Sequence, residues 1–433
     1  MSWWWMLIGG FALVTVLFLT GLPVFICFMV IISIAVLALF GPAAFGMYAN
    51  SFYDTTTLLS LTTIPMFILM GEILFRSGSI GVLLAANDRL IGRIRGRQYV
   101  LTMTLSTMMG ALSGSGIAVC AMLGRSVMPV MLERGYDRQL SAGTILAGAM
   151  LAPIIPPSVL AIIVGSLADV SIAALLIAGV LPGLILAAAY TAYTLVRVRL
   201  DPALAPQEDH VDVPWREKLA AIGQLLPFGF VIFSVLGLIM LGIATPSESA
   251  ATGVFAAIAT AWYYGKLSWR MLFEAVGESA KLTAVILIIM ASAILFGQAL
   301  AYTGATQALG EVTAALGLNR WVMFFIMMLV PFILCMFIDQ IGLMLILIPI
   351  YNPLINALGF DPIWFYLQFL LNITLGGMTP PFGYLLFTLG GAVPTMPLIE
   401  IFRASWAYVW VTLLCMTLFT FFPQIVTTLP RLL

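Results

Sequence analysis

Two short clusters of oxygen-bearing residues lie in otherwise apolar sequence, Ser113-Gly114-Ser115-Gly116 and Asp339-Gln340. Hydroxyl, carboxylate and backbone carbonyl oxygens suit a hard cation rather than a soft metal. At a weak site that must load and unload, Na⁺ is the natural ion. Each cluster has a companion downstream, Ala152-Pro153-Ile154-Ile155-Pro156-Pro157-Ser158 and Gly376-Gly377-Met378-Thr379-Pro380-Pro381. Neither companion continues a helix, because adjacent prolines lack the N–H and clash with preceding carbonyls. Such breaks free carbonyls for a cation and expose half-helix N-termini that favour an anion. The candidate cation ligands are Ser113, Ser115, Pro153, Pro156, Asp339, Gly376, Gly377 and Thr379. Candidate contacts for an anionic substrate are Ser113, Gly114, Ser158, Thr379 and Arg125. A Ser/Gly patch alone is equally a close-packing surface, and a Pro-Pro pair alone is equally a kink. Tip and break occurring together, twice, favour a site.

The two sets are related by a shift of 224 residues, which superimposes Pro129 on Pro353, Gly135 on Gly359, Asp137 on Asp361, Pro156 on Pro380 and Pro157 on Pro381 without a gap. The same shift places Ser115 on Asp339. Paired helix breakers in two halves of an apolar chain point to a transporter binding site.

The chain of 433 residues is 62% hydrophobic and 8% charged, with mean hydropathy +1.13. A soluble domain carries about 25% charge. The sequence reads as an all-α polytopic membrane protein; the alternating pattern of a barrel is absent. The start, Met1–Gly10 with three tryptophans, reads as an uncleaved span with an interfacial Trp cluster. Cys27, Cys120, Cys335 and Cys415 lie in apolar runs and read as small core residues. Zero net charge gives no basis for nucleic-acid binding.

Spans are expected near 3–20, 22–40, 57–75, 138–166, 171–196, 219–243, 246–264, 277–300, 362–390 and 404–424. Stretches 98–134 and 320–358 each hold one of the oxygen clusters at their middle. Each stretch is either two spans with a tight turn or a re-entrant hairpin; arms of about 15 to 17 residues are short for tilted spans, which favours the hairpin for both. All of the 18 basic residues but Arg125, Arg320 and Arg431 then fall on one side, the cytoplasmic one. That parity makes the first hairpin open from the cytoplasm and the second from the opposite side, so the repeats are inverted. The expected organisation is scaffold at 1–56, repeat one at 57–199, a cytoplasmic linker and scaffold at 200–276, and repeat two at 277–425. Both termini and the Gly41–Asp54 connection are expected outside, and Asp201–Lys218 inside.

Other polar residues are weaker candidates. Glu72 lies near a span end and can snorkel, Asp169 sits at a span end, and Glu248 fits a helix start capped by Thr245 or Ser247. His210, the only histidine, lies in the linker, so no histidine relay is available. Arg93, Arg95 and Arg97 sit at the end of an amphipathic stretch at 80–95 that reads as an interfacial helix with snorkelling arginines, a lipid-phosphate site there being the minor reading.

Several motifs taken together resemble the large membrane subunit of tripartite ATP-independent periplasmic (TRAP) transporters, the DctM-like family. They are Ile64-Pro65-Met66-Phe67 leading to Gly71-Glu72, Gly110-Ala-Leu-Ser113-Gly-Ser115-Gly, Pro129 with Glu133-Arg134-Gly135-Tyr136-Asp137, Ile155-Pro156-Pro157-Ser158, Ala244-Thr245-Pro246-Ser247-Glu248-Ser-Ala-Ala, and Thr379-Pro380-Pro381-Phe382-Gly383. The resemblance runs from about residue 5 to 425. It implies an elevator-type secondary transporter in the bacterial inner membrane, in which Na⁺ drives uptake of an organic acid delivered by a periplasmic substrate-binding protein. It also implies a small four-helix membrane subunit as partner. The Ser-Ser often seen at the first tip is Ser115-Gly116 here, so a hydroxyl at 116 is lacking. A stand-alone divalent-anion/Na⁺ symporter is the alternative transporter reading. An intramembrane enzyme lacks an Asp-rich metal motif and a nucleophile–base pair, and a purely structural subunit would show no ion-dependent stabilisation.

Overall fold

The computed structural model of the chain describes residues 13, 16–17, 22, 24–78, 80–90, 94–206, 214–304, 308, 311 and 317–432. Most of the span expected at 3–20, together with Arg93, Glu208, Asp209, His210 and Asp212, lies outside the described residues. Among the described residues there is no strand, and eight helices are long and apolar enough to cross a membrane. The chain is an all-α, multi-pass membrane protein.

Each expected hairpin is a pair of helical arms. Arg97–Ser113 runs to a tip at Gly114-Ser115, and Gly116–Ser126 and Met128–Glu133 return from it. In the second hairpin, Arg320–Leu334 and Gln340–Leu358 flank a tip at residues 335–339. A helix in two pieces follows each hairpin: Arg138–Met150 and Val159–Leu167, then Pro362–Gly376 and Tyr384–Ala392. Residues paired by the 224-residue shift do paired work. Gly135 and Gly359 turn the chain at φ 81° and 65°, a region open to glycine. The Asp137 carboxylate accepts from the Leu140 N–H at 2.7 Å and that of Asp361 from the Trp364 N–H at 3.1 Å. Both cap the first free N–H groups of the helix that follows.

Helix Leu398–Phe421 works as a ruler for the repeat orientation. Its 24 residues span about 36 Å. At its start Glu400 lies 3.9 Å from Arg138, which also donates to the Thr395 carbonyl at 2.8 Å. Further along, the Tyr408 hydroxyl meets Thr144 at 2.8 Å. At its far end the Trp364 indole N–H donates to the Phe419 carbonyl at 2.9 Å, and Gln368 donates to Met416 at 3.1 Å. Arg138–Met150 therefore runs parallel to the ruler and Pro362–Gly376 antiparallel to it. The bases of the two hairpins lie at opposite ends of the molecule, which is the inverted topology expected from the charge distribution. The repeats also grip each other: the returning arm Gly116–Ser126 packs on Tyr384–Ala392, and Gln340–Leu358 packs on Val159–Leu167.

A second group of helices flanks this core. Thr63–Arg76 packs against both Pro246–Tyr263 and Trp269–Tyr302, and Trp215–Ile232 packs on Pro246–Tyr263. Trp269–Tyr302 has 34 residues, about 51 Å, which exceeds a hydrocarbon core of about 30 Å. Its charged first turns extend beyond that core and pair there: Arg76 with Glu72 at 2.7 Å and Glu274 at 3.3 Å, Arg270 with Glu274 at 3.0 Å. Glu72 is thus an ion-pair partner at one membrane face. Thr245 and Glu248 form the expected start of Pro246–Tyr263, a reciprocal capping box. All four cysteines are free and buried.

Two further segments pack into this frame. Within Gly41–Asp54, Gly41 turns at φ 55°, and helix Ala44–Thr57 packs along Trp269–Tyr302, with the Ser51 hydroxyl donating to Gln298 at 3.2 Å. The stretch read as an interfacial helix forms helix Ile80–Leu90, which packs on Trp215–Ile232 and Arg97–Ser113. Arg95 and Arg97 face protein acceptors. Arg95 donates to the Ala205 carbonyl at 3.1 Å and that of Pro202 at 2.6 Å, and Arg97 lies 3.3 Å from Asp88.

The buried Tyr408 hydroxyl joins Thr144 and Thr194, each at 2.8 Å. Tyr408→Phe should cost about 1–2 kcal/mol, read as a lower unfolding temperature of the detergent-solubilised protein. An unchanged transition would exclude this hydroxyl cluster as a helix tie.

Candidate functional site

The first tip is shaped by its glycines. Gly114 sits at φ 61° and its N–H closes on the Gly110 carbonyl at 2.8 Å. Ser115 is extended and caps the returning arm, its hydroxyl oxygen accepting from the Ala118 N–H at 3.3 Å, while the Ser115 N–H donates to the Ser113 hydroxyl at 3.3 Å. A Cβ on Gly114 would lie 3.0 Å from the Pro157 carbonyl oxygen. One on Gly116 would lie 2.9 Å from the Ala149 carbonyl oxygen, and one on Gly110 2.8 Å from Ala152 Cα. The tip is thus seated backbone-to-backbone on the first break. The missing hydroxyl at 116 has a steric reason: the Ala149 carbonyl lies where a side chain would begin.

The first break is buried from Leu151 to Ser158. The Ile154 and Ile155 N–H groups both donate to the Leu151 carbonyl, at 3.0 and 2.8 Å. The Ser158 hydroxyl donates to the Pro153 carbonyl and accepts from the Ala161 N–H at 3.1 Å, so it caps Val159–Leu167. Pro156-Pro157 and Pro380-Pro381 are both cis.

The second tip and break are built with more side chain. Asp339 caps Gln340–Leu358, one carboxylate oxygen accepting from the Ile341 N–H at 3.0 Å. This is the capping position that Ser115 holds in the first repeat. A Cβ on Gly376 would collide with Cys335, whose thiol donates to the Ile373 carbonyl at 3.0 Å. The Gln340 amide donates to the Tyr384 hydroxyl at 2.5 Å, and the Tyr384 ring covers Gly377. In the break itself the Leu385 N–H donates to the Gly377 carbonyl at 2.9 Å and the Thr379 hydroxyl to Leu375 at 2.7 Å.

The structure therefore brings Ser113, Gly114 and Ser115 against the break that holds Pro153, Pro156 and Ser158. It brings the tip containing Asp339 against Gly376, Gly377 and Thr379 through its neighbours Cys335 and Gln340. Arg125 is not part of either assembly. It is exposed in the last turn of its arm, nine residues beyond Gly116, about 14 Å along the axis. Ser158 and Thr379 are fully buried with their hydroxyls engaged in local bonds. No group of three or more acidic, histidine or cysteine residues suited to a metal occurs among the described residues. The oxygen atoms gathered at the two tips and breaks belong to hydroxyls, backbone carbonyls and one carboxylate.

Two participants, Tyr384 and Gly71, were missed as site residues in the sequence, and Gln340 was read only as part of the second tip, without a partner. Gln340 and Tyr384 meet across 44 residues, and their equivalents in the first repeat are Gly116 and Leu160, so the repeat gave no signal. Gly71 lies on the second group of helices, yet a Cβ there would sit 3.1 Å from Ser113 Cα. It joins the first tip to Thr63–Arg76.

A family model described as "Tripartite ATP-independent periplasmic transporter, DctM component" matches residues 11–425. The ectoine/5-hydroxyectoine TRAP transporter large permease protein UehC of Ruegeria pomeroyi is 30% identical over 422 residues, covering 96% of each chain. The C4-dicarboxylate TRAP transporter large permease protein DctM of Pseudomonas aeruginosa is 30% identical over 396 residues, covering 91% of each. The crystal structure of the Alcanivorax borkumensis YdaH transporter shares the fold, with TM-score 0.68 at 15% identity over 96% of this chain and 99% of that one.

Gly114 and Gly78 both have positive φ, 61° and 66°, but nothing lies within 4 Å of a Cβ on Gly78. Alanine at either position carries a left-handed penalty of about 1 kcal/mol. Gly114→Ala should lower the unfolding temperature more than Gly78→Ala, the difference reporting tip–break contact. Equal losses would show that the tip is not seated as described.

Proposed function

This chain belongs to the DctM-component family of tripartite ATP-independent periplasmic transporters, and from that premise we propose that it is the Na⁺-coupled, membrane-embedded permease subunit of an organic-acid importer. It sits in the bacterial inner membrane beside a small four-helix membrane subunit and takes its substrate from a periplasmic binding protein. Relatives are named for ectoine and for C4-dicarboxylates; a carboxylate is common to both, and this chain's substrate is an organic acid of that kind.

The observation that carries Na⁺ coupling is the seating of two oxygen-rich tips on two helix breaks. Ser113, Ser115, Pro153 and Pro156 supply the first cation site, and Asp339, Gly376, Gly377 and Thr379 the second. The substrate anion is held without a basic side chain, since no Lys or Arg occurs in residues 113–116, 151–158, 335–340 or 376–383. Positive potential comes from the starts of Val159–Leu167 and Tyr384–Ala392 and from bound Na⁺. Na⁺ and substrate then raise each other's affinity by the same factor.

The two hairpins and two broken helices move as one unit against the flanking helices, in the elevator manner. Gly71 against Ser113 supports this boundary, as does a crevice lined by Leu74, Leu83, Met109, Leu112 and Phe228 between the two groups.

Uptake of succinate and of ectoine by liposomes holding the chain with its two partners tests the reading. A Na⁺ gradient should drive uptake of at least one. Ser115→Ala should raise the Na⁺ half-saturation about five- to ten-fold, as expected for loss of one ligand among a few. Uptake indifferent to Na⁺ would refute coupling. A maleimide cross-link between cysteines at Met109 and Phe228 should stop uptake while Na⁺ binding persists; full uptake would refute the moving unit.

A further inference from the structure

We infer that the Gln340–Tyr384 hydrogen bond is the positioning device for Asp339, so that Tyr384 sets Na⁺ affinity in the second repeat without itself ligating the ion. This rests on the cation-site reading above and deepens it. Asp339 and Gln340 are consecutive at the start of Gln340–Leu358. The Asp339 carboxylate faces the backbone N–H groups of Gln340, Ile341 and Gly342, the Ile341 N–H donating at 3.0 Å; a carboxylate has about four lone-pair sites, so the oxygens that cap the helix can still meet a cation from the other side. What fixes the direction of that carboxylate is whatever fixes the tip. Gln340 is buried, and its amide reaches the Tyr384 hydroxyl at 2.5 Å. Tyr384 in turn begins the half-helix after the second break, with its ring over Gly377. The bond therefore ties the tip that carries the carboxylate to the break that supplies the carbonyls.

The first repeat needs no such tie. Its equivalents are Gly116 and Leu160, and there the tip meets the break through backbone, with Gly114 on Pro157 and Gly116 on Ala149. The second tip meets its break closely at Cys335 on Gly376, but it has Gln340 where the first has Gly116, and the side-chain bridge to Tyr384 takes the place of the Gly116 contact with the Ala149 carbonyl. A ligand held by a strained or loose shell loses affinity even when all its atoms remain. Tyr384→Phe keeps the ring on Gly377 and removes only the oxygen.

The test is calorimetric titration of Na⁺ into the purified full chain, with K⁺ as control ion, for wild type, Tyr384→Phe, Gln340→Ala and the double variant. Each single change should weaken Na⁺ binding about five- to ten-fold, and the double variant should be no weaker than either single one, because both remove the same bond. The maximal uptake rate at saturating Na⁺ should stay near wild type in Tyr384→Phe. Wild-type binding with unchanged affinity in both single variants would overturn the positioning role while leaving the cation site intact. Additive losses, or a reduced maximal rate at unchanged Na⁺ affinity, would also overturn it in favour of a packing role. No Na⁺ binding by wild type would overturn the cation-site reading itself, a result distinct from the others.

Discussion

Hydrocarbon offers no partner to a free N–H or C=O, and that constraint governs this structure. A helix broken at membrane depth is tolerable only if its loose backbone groups are met from inside the protein. Residues 151–158 meet the requirement by burial, by the Ile154 and Ile155 N–H groups on the Leu151 carbonyl and by the Ser158 hydroxyl on the Pro153 carbonyl, and glycines let the covering backbone come close enough to exclude lipid. Gly114 lies on Pro157, Gly116 on Ala149, and Gly179 on Ile154. Residues 376–383 meet it through the Leu385 N–H on Gly377, the Gly383 N–H on Thr379 at 3.2 Å, and the Cys335 contact with Gly376. The hairpins cover the breaks and so make non-helical backbone tolerable at that depth.

From this follows the division of the molecule. The two hairpins and broken helices interlock across the repeats, Gly116–Ser126 with Tyr384–Ala392 and Gln340–Leu358 with Val159–Leu167. Each repeat packs on the other, so the two tip–break assemblies share one core. The flanking helices meet this core where Trp269–Tyr302 packs on Gln340–Leu358 and where Thr63–Arg76 packs on Arg97–Ser113, Gly71 permitting contact with the first tip. A single Cβ at that position would part them.

The two repeats solve one problem by different chemistry. The first uses close backbone approach, which glycine allows and any side chain would spoil. The second uses a carboxylate in place of Ser115 and a Gln–Tyr bridge in place of Gly116 and Leu160. The repeat makes their positions alike, but the side chains at those positions are unlike.

The sequence by itself determined the membrane class, the inverted repeat and the two breaks, because composition, charge sidedness and proline placement act locally and survive without packing. Asp137, Asp361, Ser115 and Asp339 were legible as paired positions, and all four proved to be helix caps, since a cap depends only on the next three residues. Only tertiary structure decided that Gly41–Asp54 is mostly helix, that Arg95 is held by the linker carbonyls, and that Arg125 lies away from both tips. The same is true of Tyr384 and Gly71. Their roles come from partners 44 and 42 residues distant, and no periodicity or motif encodes which apolar-segment residue will face which when two helices pack.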